Sequence, residues 1–149
     1  MRQGHVRPIA ICIFRREDQI LVAEWEDVDK NQLFCRPLGG AIEFGECSQR
    51  TVERELMEEL GAEVADLRYL ATLENIFVHN GMQGHEIVLL YEGNLVDRAL
   101  YEVEAIDGHD DGDIPLRAVW KRLGFFSPST PLYPDGLLDL LTQGCRTTP

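Results

Sequence analysis

Apolar residues fall along the chain in short blocks, and the spacing inside each block predicts its conformation. Val6 to Phe14 (VRPIAICIF) is nearly unbroken apolar sequence and predicts a strand, with Ile9 to Phe14 buried. Arg15-Arg16-Glu17-Asp18 predicts a polar turn. Gln19 to Trp25 alternates, and its nearness predicts a hairpin with the first strand. A polar loop over Glu26 to Gln32 leads to a short strand at Leu33 to Arg36. After Ser48 the period changes to that of a helix. Val52, Leu56, Met57 and Leu60 make an apolar stripe, and Ser48 is the expected N-cap. Leu67 to Val78 predicts a strand, and Asn80 to Gly84 a turn. His85 to Val96 is apolar on both faces, with Ile87, Leu89 and Tyr91 on one and Val88 and Leu90 on the other, which suits a central strand. Asp107 to Asp113 (DGHDDGD) predicts an acidic loop, Arg117 to Lys121 a short strand centred on Trp120, and Pro134 to Gln143 a C-terminal helix. An early and a late helix flanking strands give an α/β class, an α/β/α sandwich around a mixed β-sheet. No repeat or low-complexity linker divides the chain, so residues 1–149 are expected to form a single domain.

Composition narrows the class further. Hydrophobic residues make up 44% and charged residues 27%, close to ordinary globular values, which argues against disorder. No apolar run reaches the roughly 20 residues needed to span a bilayer. The first residues lack the long apolar core of a secretory signal, so a cytoplasmic location is expected. The net charge of −12 is opposite to what duplex nucleic acid requires. A small polyanion remains a possible substrate, since metal ions and a few local bases supply positive charge at a site. Cys12, Cys35, Cys47 and Cys145 include no C-x-x-C pair, and reduced thiols are expected.

The segment from residue 40 to 62, GAIEFGECSQRTVERELMEELGA, carries the chemistry. Gly40, Glu46, Arg54, Glu55, Glu58, Glu59 and Gly61 stand at fixed spacing. At average usage such a match arises in roughly one window in 10^8 to 10^9. Glu55, Glu58 and Glu59 lie at i, i+3 and i+4, on one helix face and on the side away from the apolar stripe. Most acidic helix faces are only solvated. Here like charges repel at close range, the flanks are fixed glycines, and a hard divalent cation would relieve the repulsion.

This segment resembles the Nudix box, the signature of enzymes that hydrolyse a nucleoside diphosphate linked to another group. It departs at Ala62, where a larger aliphatic is usual, and in having Pro37-Leu38-Gly39-Gly40 where many members have Pro-Gly-Gly. The resemblance implies the Nudix fold and a Mg²⁺-dependent (Mn²⁺ possible) pyrophosphohydrolase with water as the nucleophile. It implies Glu55, Glu58, Glu59 and the Gly39 carbonyl as metal ligands, and Arg54 paired with a box carboxylate, expected to be Glu46. Arginine's planar fork suits such a pair. Catalytic roles are thus expected for Glu46, Arg54, Glu55, Glu58 and Glu59. The general base stays open between a box Glu and Glu86, Asp110, Asp111 or Asp113.

Substrate-binding roles are expected for Arg36, Phe44 and Glu86, with Trp25, Phe34 and Phe77 as further stacking candidates. Markers of the ADP-ribose and dinucleoside polyphosphate subgroups are absent, with Val78 and His79 standing there, as is the NADH-type motif. The expected partner is a nucleotide or nucleoside diphosphate derivative, with neither duplex nucleic acid nor membrane, and with a homodimer left open. The alternative is a non-hydrolytic protein of the same fold, a diphosphate-ester isomerase or a nucleotide sensor. An intact set of box glutamates, and no room for a separate DNA-binding domain, argue against it.

Overall fold

The computed structural model describes residues 4–143; Cys145 and the first three residues lie outside that range. In chain order the elements are β1 (Val6–Ile13), β2 (Arg15–Arg16), β3 (Gln19–Asp27), β4 (Gln32–Arg36), β5 (Leu38–Ala41), α1 (Ser48–Leu60), β6 (Val64–His79), β7 (Met82–Leu95), β8 (Ala105–Asp110), β9 (Ile114–Arg122) and α2 (Leu137–Gln143). One sheet runs β5-β1-β7-β6, and a second runs β2-β3-β9-β8 with β4 on β3. The first is mixed, because β1 lies parallel to β7 and antiparallel to β5.

Two buried clusters lie on opposite sides of β1. One joins Ala10, Cys12 and Phe14 to Val52 and Leu56 of α1 and to Trp120. The other joins Ile9, Ile11 and Ile13 to Leu137 and Leu141 of α2. Helix, sheet and helix therefore stack as expected, and β1 is apolar and buried from Ile9 to Ile13 because both faces are covered there.

The predicted hairpin between the first two strands does not form. β1 takes β5 and β7 as neighbours, while β3 pairs with β2, β4 and β9 in the other sheet. The chain crosses between sheets at Phe14, which is fully buried and whose carbonyl still accepts from Leu21 N–H at 3.2 Å. Sequence alternation reports which faces are buried, but not which strand pairs with which. The acidic 107–113 segment is likewise no simple loop. Residues 105–110 pair with β9, and only 111–113 form a tight 3-10 turn.

The box helix spans thirteen residues and starts one position earlier than expected. Cys47 is the N-cap, in extended conformation and without a side-chain cap bond. Ser48 instead directs its hydroxyl at the Tyr91 hydroxyl, 2.5 Å away. At the other end Gly61 takes the left-handed conformation (φ 64°), which a side chain disfavours. Its N–H bonds the Met57 carbonyl and that of Ala62 bonds the Leu56 carbonyl, closing the helix. Cys12 and Cys35 are buried and Cys47 is exposed. Burial pushes the Cys35 thiol up to about 11 and that of Cys12 higher still, so both stay protonated.

Candidate active site

A cleft of about 600 Å³ opens between the sheets beside α1. One end is acidic, built from Arg54, Glu55, Glu58 and Glu59 of α1 with Glu43, Asp110 and Asp111. The other is built from Arg7, Arg36, Asn75 and Glu86 among aromatic rings. Gly39, Gly40, Leu38, Ile9 and Ile11 form the stretch between.

At the acidic end Arg54 spends all its donors. Nε and Nη2 bond the two oxygens of Glu46 at 2.7 and 2.9 Å, the bidentate pair expected from the box. Nη2 also bonds the Ala41 carbonyl at 3.1 Å. Nη1 reaches Glu55 Oε1 at 2.8 Å and Glu58 Oε2 at 3.3 Å. Glu46 accepts Thr51 Oγ1 at 2.6 Å as well. The hydrogen bonds from Arg54 and then Thr51 hold its carboxyl down at about 2.

One expectation about α1 needs correction. The glutamate face does not lie away from the apolar stripe. Glu55 and Glu59 are buried along with Val52 and Leu56, whereas Met57 is exposed. Residues 52 and 55, or 56 and 59, are only about 60° apart around a helix, so the two faces adjoin. Arg54 Nη1 stands between Glu55 and Glu58, and among the described residues no three carboxylate, imidazole or thiol groups stand close enough to enclose an ion as the side chains lie.

Glu59 is the unresolved charge of this end. It is 6% exposed, and its Oε1 is buried without a hydrogen-bond partner. Burial first, then the negative charges of Glu55 and Asp110, push its carboxyl up to about 9, against the pull of the Gly39 backbone N–H. Burial also raises Glu55, with Arg54 opposing. A side chain on Gly40 would place its Cβ 2.4 Å from the Glu55 carboxyl carbon, so only glycine leaves that carboxylate its room. Hard oxygen donors, a lone buried carboxylate oxygen and an excess of negative charge fit a hard divalent cation.

At the far end Glu86 is 2% exposed. Its Oε1 accepts from Arg36 Nη2 at 3.2 Å and from Asn75 Nδ2 at 3.4 Å, and its Oε2 lies 3.8 Å from Arg7 Nη1. Asn75 is itself held, accepting from Asp135 N–H at 3.3 Å. Trp25, Phe34, Phe77, His79 and Tyr133 line this end. Phe34 sets its ring edge-on to His79 and Tyr133, with centroids 5.3 and 5.5 Å away. Two hairpin tips close the wall, tied by Lys30 Nζ to the Val78 carbonyl at 2.8 Å and by Val28 N–H to Asn80 Oδ1 at 3.1 Å.

The structure thus gathers Gly39, Glu55, Glu58, Glu59, Arg54, Arg36 and Glu86 into one cleft, with Glu46 behind Arg54. Phe44 is the exception: its side chain is fully exposed and does not line the cleft. It sits in the tight loop before α1, where turn geometry points it to solvent. Arg7, Asn75 and Tyr133 line the site and were not singled out from sequence. Arg7 and Asn75 are brought to Glu86 by strand register, which pairs Arg7 with Glu86 on β1 and β7, and Asn75 with Glu86 on β6 and β7.

Comparison with known proteins agrees with this architecture. The NUDIX domain family model matches residues 4–121. Over 67 residues, 45% of this chain, the sequence is 39% identical to the NAD-capped RNA hydrolase NudC of Enterobacter sp. (strain 638). That match covers 25% of the NudC chain, so this chain spans about a quarter of the length of the curated relatives it matches. The fold superposes on a Nudix hydrolase from Nitrosomonas europaea with a TM-score of 0.62 at 16% identity, covering 95% of this chain and 92% of that one. A MutT Nudix hydrolase from Burkholderia pseudomallei gives 0.56 at 20% identity, covering 93% and 98%.

Proposed function

The chain belongs to the Nudix family, and from that premise we propose that it hydrolyses a phosphoric anhydride bond in a nucleoside diphosphate derivative, with water as the nucleophile. Nudix hydrolases generally use divalent metal ions; for this chain the ion would be Mg²⁺, with Mn²⁺ able to replace it. The observation that carries the reading is the lone buried Glu59 oxygen beside Glu55 and Glu58, in the wall of a cleft large enough for a nucleotide.

Glu55, Glu58 and Glu59, with the Gly39 backbone, would hold the ion. Bound there, a divalent cation neutralises diphosphate oxygens and acidifies a water. Arg54 holds Glu55 and Glu58 in place, itself anchored on Glu46. Glu58, Asp110 and Asp111 line the cleft at this end and are the carboxylates positioned to take the proton from the attacking water, while Glu86 lies at the opposite end. The partner is a small nucleotide derivative rather than duplex nucleic acid or a membrane. Among the described residues no helix is long and apolar enough to cross a bilayer.

The test is a panel of nucleoside triphosphates, nucleotide sugars, ADP-ribose, dinucleoside polyphosphates and NAD, each with Mg²⁺ and with Mn²⁺ in ¹⁸O-labelled water. Cleavage of an anhydride is expected, with label in a phosphate product and no attack on simple monoesters. NAD belongs in the panel because of the named activity of the NudC relatives. A panel with no turnover, or products free of label, would remove the hydrolase reading.

A further inference from the structure

We propose that the far end of the cleft reads the imide edge of a pyrimidine base, uracil or thymine, through Glu86 set between Arg7 and Arg36. The proposal rests on the reading of this cleft as a nucleotide site and adds the base to it.

Gly40 lies opposite Ala10, and its backbone is packed against the Glu55 carboxyl. An odd separation turns Arg7 to the opposite face of β1 from Ala10, yet it lines the same cleft as the glutamates, three residues back along the strand and about 10 Å away at strand rise. That is comparable to the reach of a nucleoside from its 5′ phosphate to the far edge of its base. A diphosphate at the glutamates therefore leaves its base within reach of Arg7 and Glu86 in that cleft. The walls suit a flat ring, since Trp25, Phe34, Phe77 and Tyr133 line the cleft there.

The polar pattern then selects the edge. Glu86 stands between two guanidinium groups, and a carboxylate only accepts. Its Oε1 is already used by Arg36 and Asn75, and Asn75 is fixed in turn by the Asp135 backbone. Oε2 has Arg7 beside it at 3.8 Å, beyond hydrogen-bonding distance, and is left for one donor. Arg7 and Arg36 flank the carboxylate from its two oxygens and carry donors to spare. The site reads donor, acceptor, donor. Its complement is acceptor, donor, acceptor, which is the O2, N3–H and O4 edge of uracil and thymine. Cytosine sets a bare N3 against the carboxylate oxygen, and two acceptors facing each other in a buried site are strongly disfavoured. A purely structural ion cluster would be expected to satisfy Oε2 and would not line a cavity.

Calorimetric binding of the non-hydrolysable α,β-methylene diphosphates of uridine, cytidine and N3-methyluridine tests this without turnover. Uridine is expected to bind about tenfold or more tightly than either of the others. Glu86→Gln should narrow the uridine-to-cytidine ratio to about one or invert it, because an amide N–H₂ donates to cytosine N3. The wild-type ratio alone keeps the test meaningful if that variant folds poorly. Equal wild-type affinities, no binding of any of the three, or an equal loss for both bases in Glu86→Gln would overturn the proposal. Selective binding without hydrolysis would retain the base site and remove only the hydrolase reading, whereas hydrolysis of all nucleotides alike would do the reverse.

Discussion

The two ends of the cleft hold buried carboxylates in opposite ways. At the far end Glu86 is compensated, with Arg36 and Asn75 on one oxygen and Arg7 near the other. At the acidic end one arginine serves Glu46, Glu55 and Glu58, and Glu59 is left with an oxygen that nothing satisfies. A buried carboxylate without a partner costs several kcal/mol or gives up its charge by binding a proton. The difference separates a cluster whose charges are compensated from one left with an excess of negative charge.

The largest effect should come from removing that imbalance. Glu58→Gln or Glu59→Gln is expected to lower kcat by at least about 100-fold, since even groups behind metal ligands are worth 10- to 100-fold. Circular dichroism should show the fold intact, and Glu59→Gln should leave the metal-free protein at least as stable as wild type. Near-wild-type turnover at saturating Mg²⁺ in either variant would end the contrast between the two ends.

Arg54→Lys should come next, with a loss of about 10- to 100-fold in kcat at preserved charge. A lysine cannot span both Glu46 oxygens while also reaching Glu55. If the lysine variant keeps full activity, Arg54 acts only as a charge and not as the positioning residue at this end.

The pH dependence of stability sharpens the same point more gently. Glu59 has its carboxyl raised from 4.5 to about 9, so the folded state favours its protonated form. The associated stability is fully present below about 4.5 and is lost as pH rises through about 9. After chelation the melting temperature should therefore fall by roughly 5 °C between pH 5 and pH 9, and added Mg²⁺ or Mn²⁺ should recover most of that fall. A flat profile in the chelated protein would show that Glu59 is not the strained group. The opposite end supplies the control, since nothing at Glu86 calls for a metal.

The smallest expected effect is at Phe44. Fully exposed and off the cleft lining, Phe44→Ala should change kcat/KM by no more than about twofold. A tenfold rise in KM would mean that the loop before α1 folds over the substrate.

The acidic end was legible in the sequence because it is local. Thirteen consecutive residues form α1, so a 3.6-residue period puts Glu55, Glu58 and Glu59 near one another and sets Arg54 beside them. Gly40 and Gly61 were marked as special, and the structure supplies their separate reasons, a close approach to Glu55 and a left-handed helix end. Burial of both faces of β1 from Ile9 to Ile13 was legible too, from an unbroken apolar run, whereas β7 buries Val88 and Leu90 and leaves Ile87 and Leu89 partly exposed.

Strand pairing was not legible, and everything built on pairing followed it. The parallel register of β1 and β7 brings Arg7 to Glu86 across 79 positions of sequence, and β6 adds Asn75. No periodicity within one segment encodes a neighbour in another, because the side-chain period along a strand is two whatever strand lies beside it. For the same reason the expected β1–β3 hairpin gave way to two sheets. The sequence by itself determined the helix that carries the carboxylates and which strand faces are buried. Only the tertiary structure decided that Arg54 divides those carboxylates, that Glu59 is left without a partner, and that a second charged cluster closes the far end of the cleft.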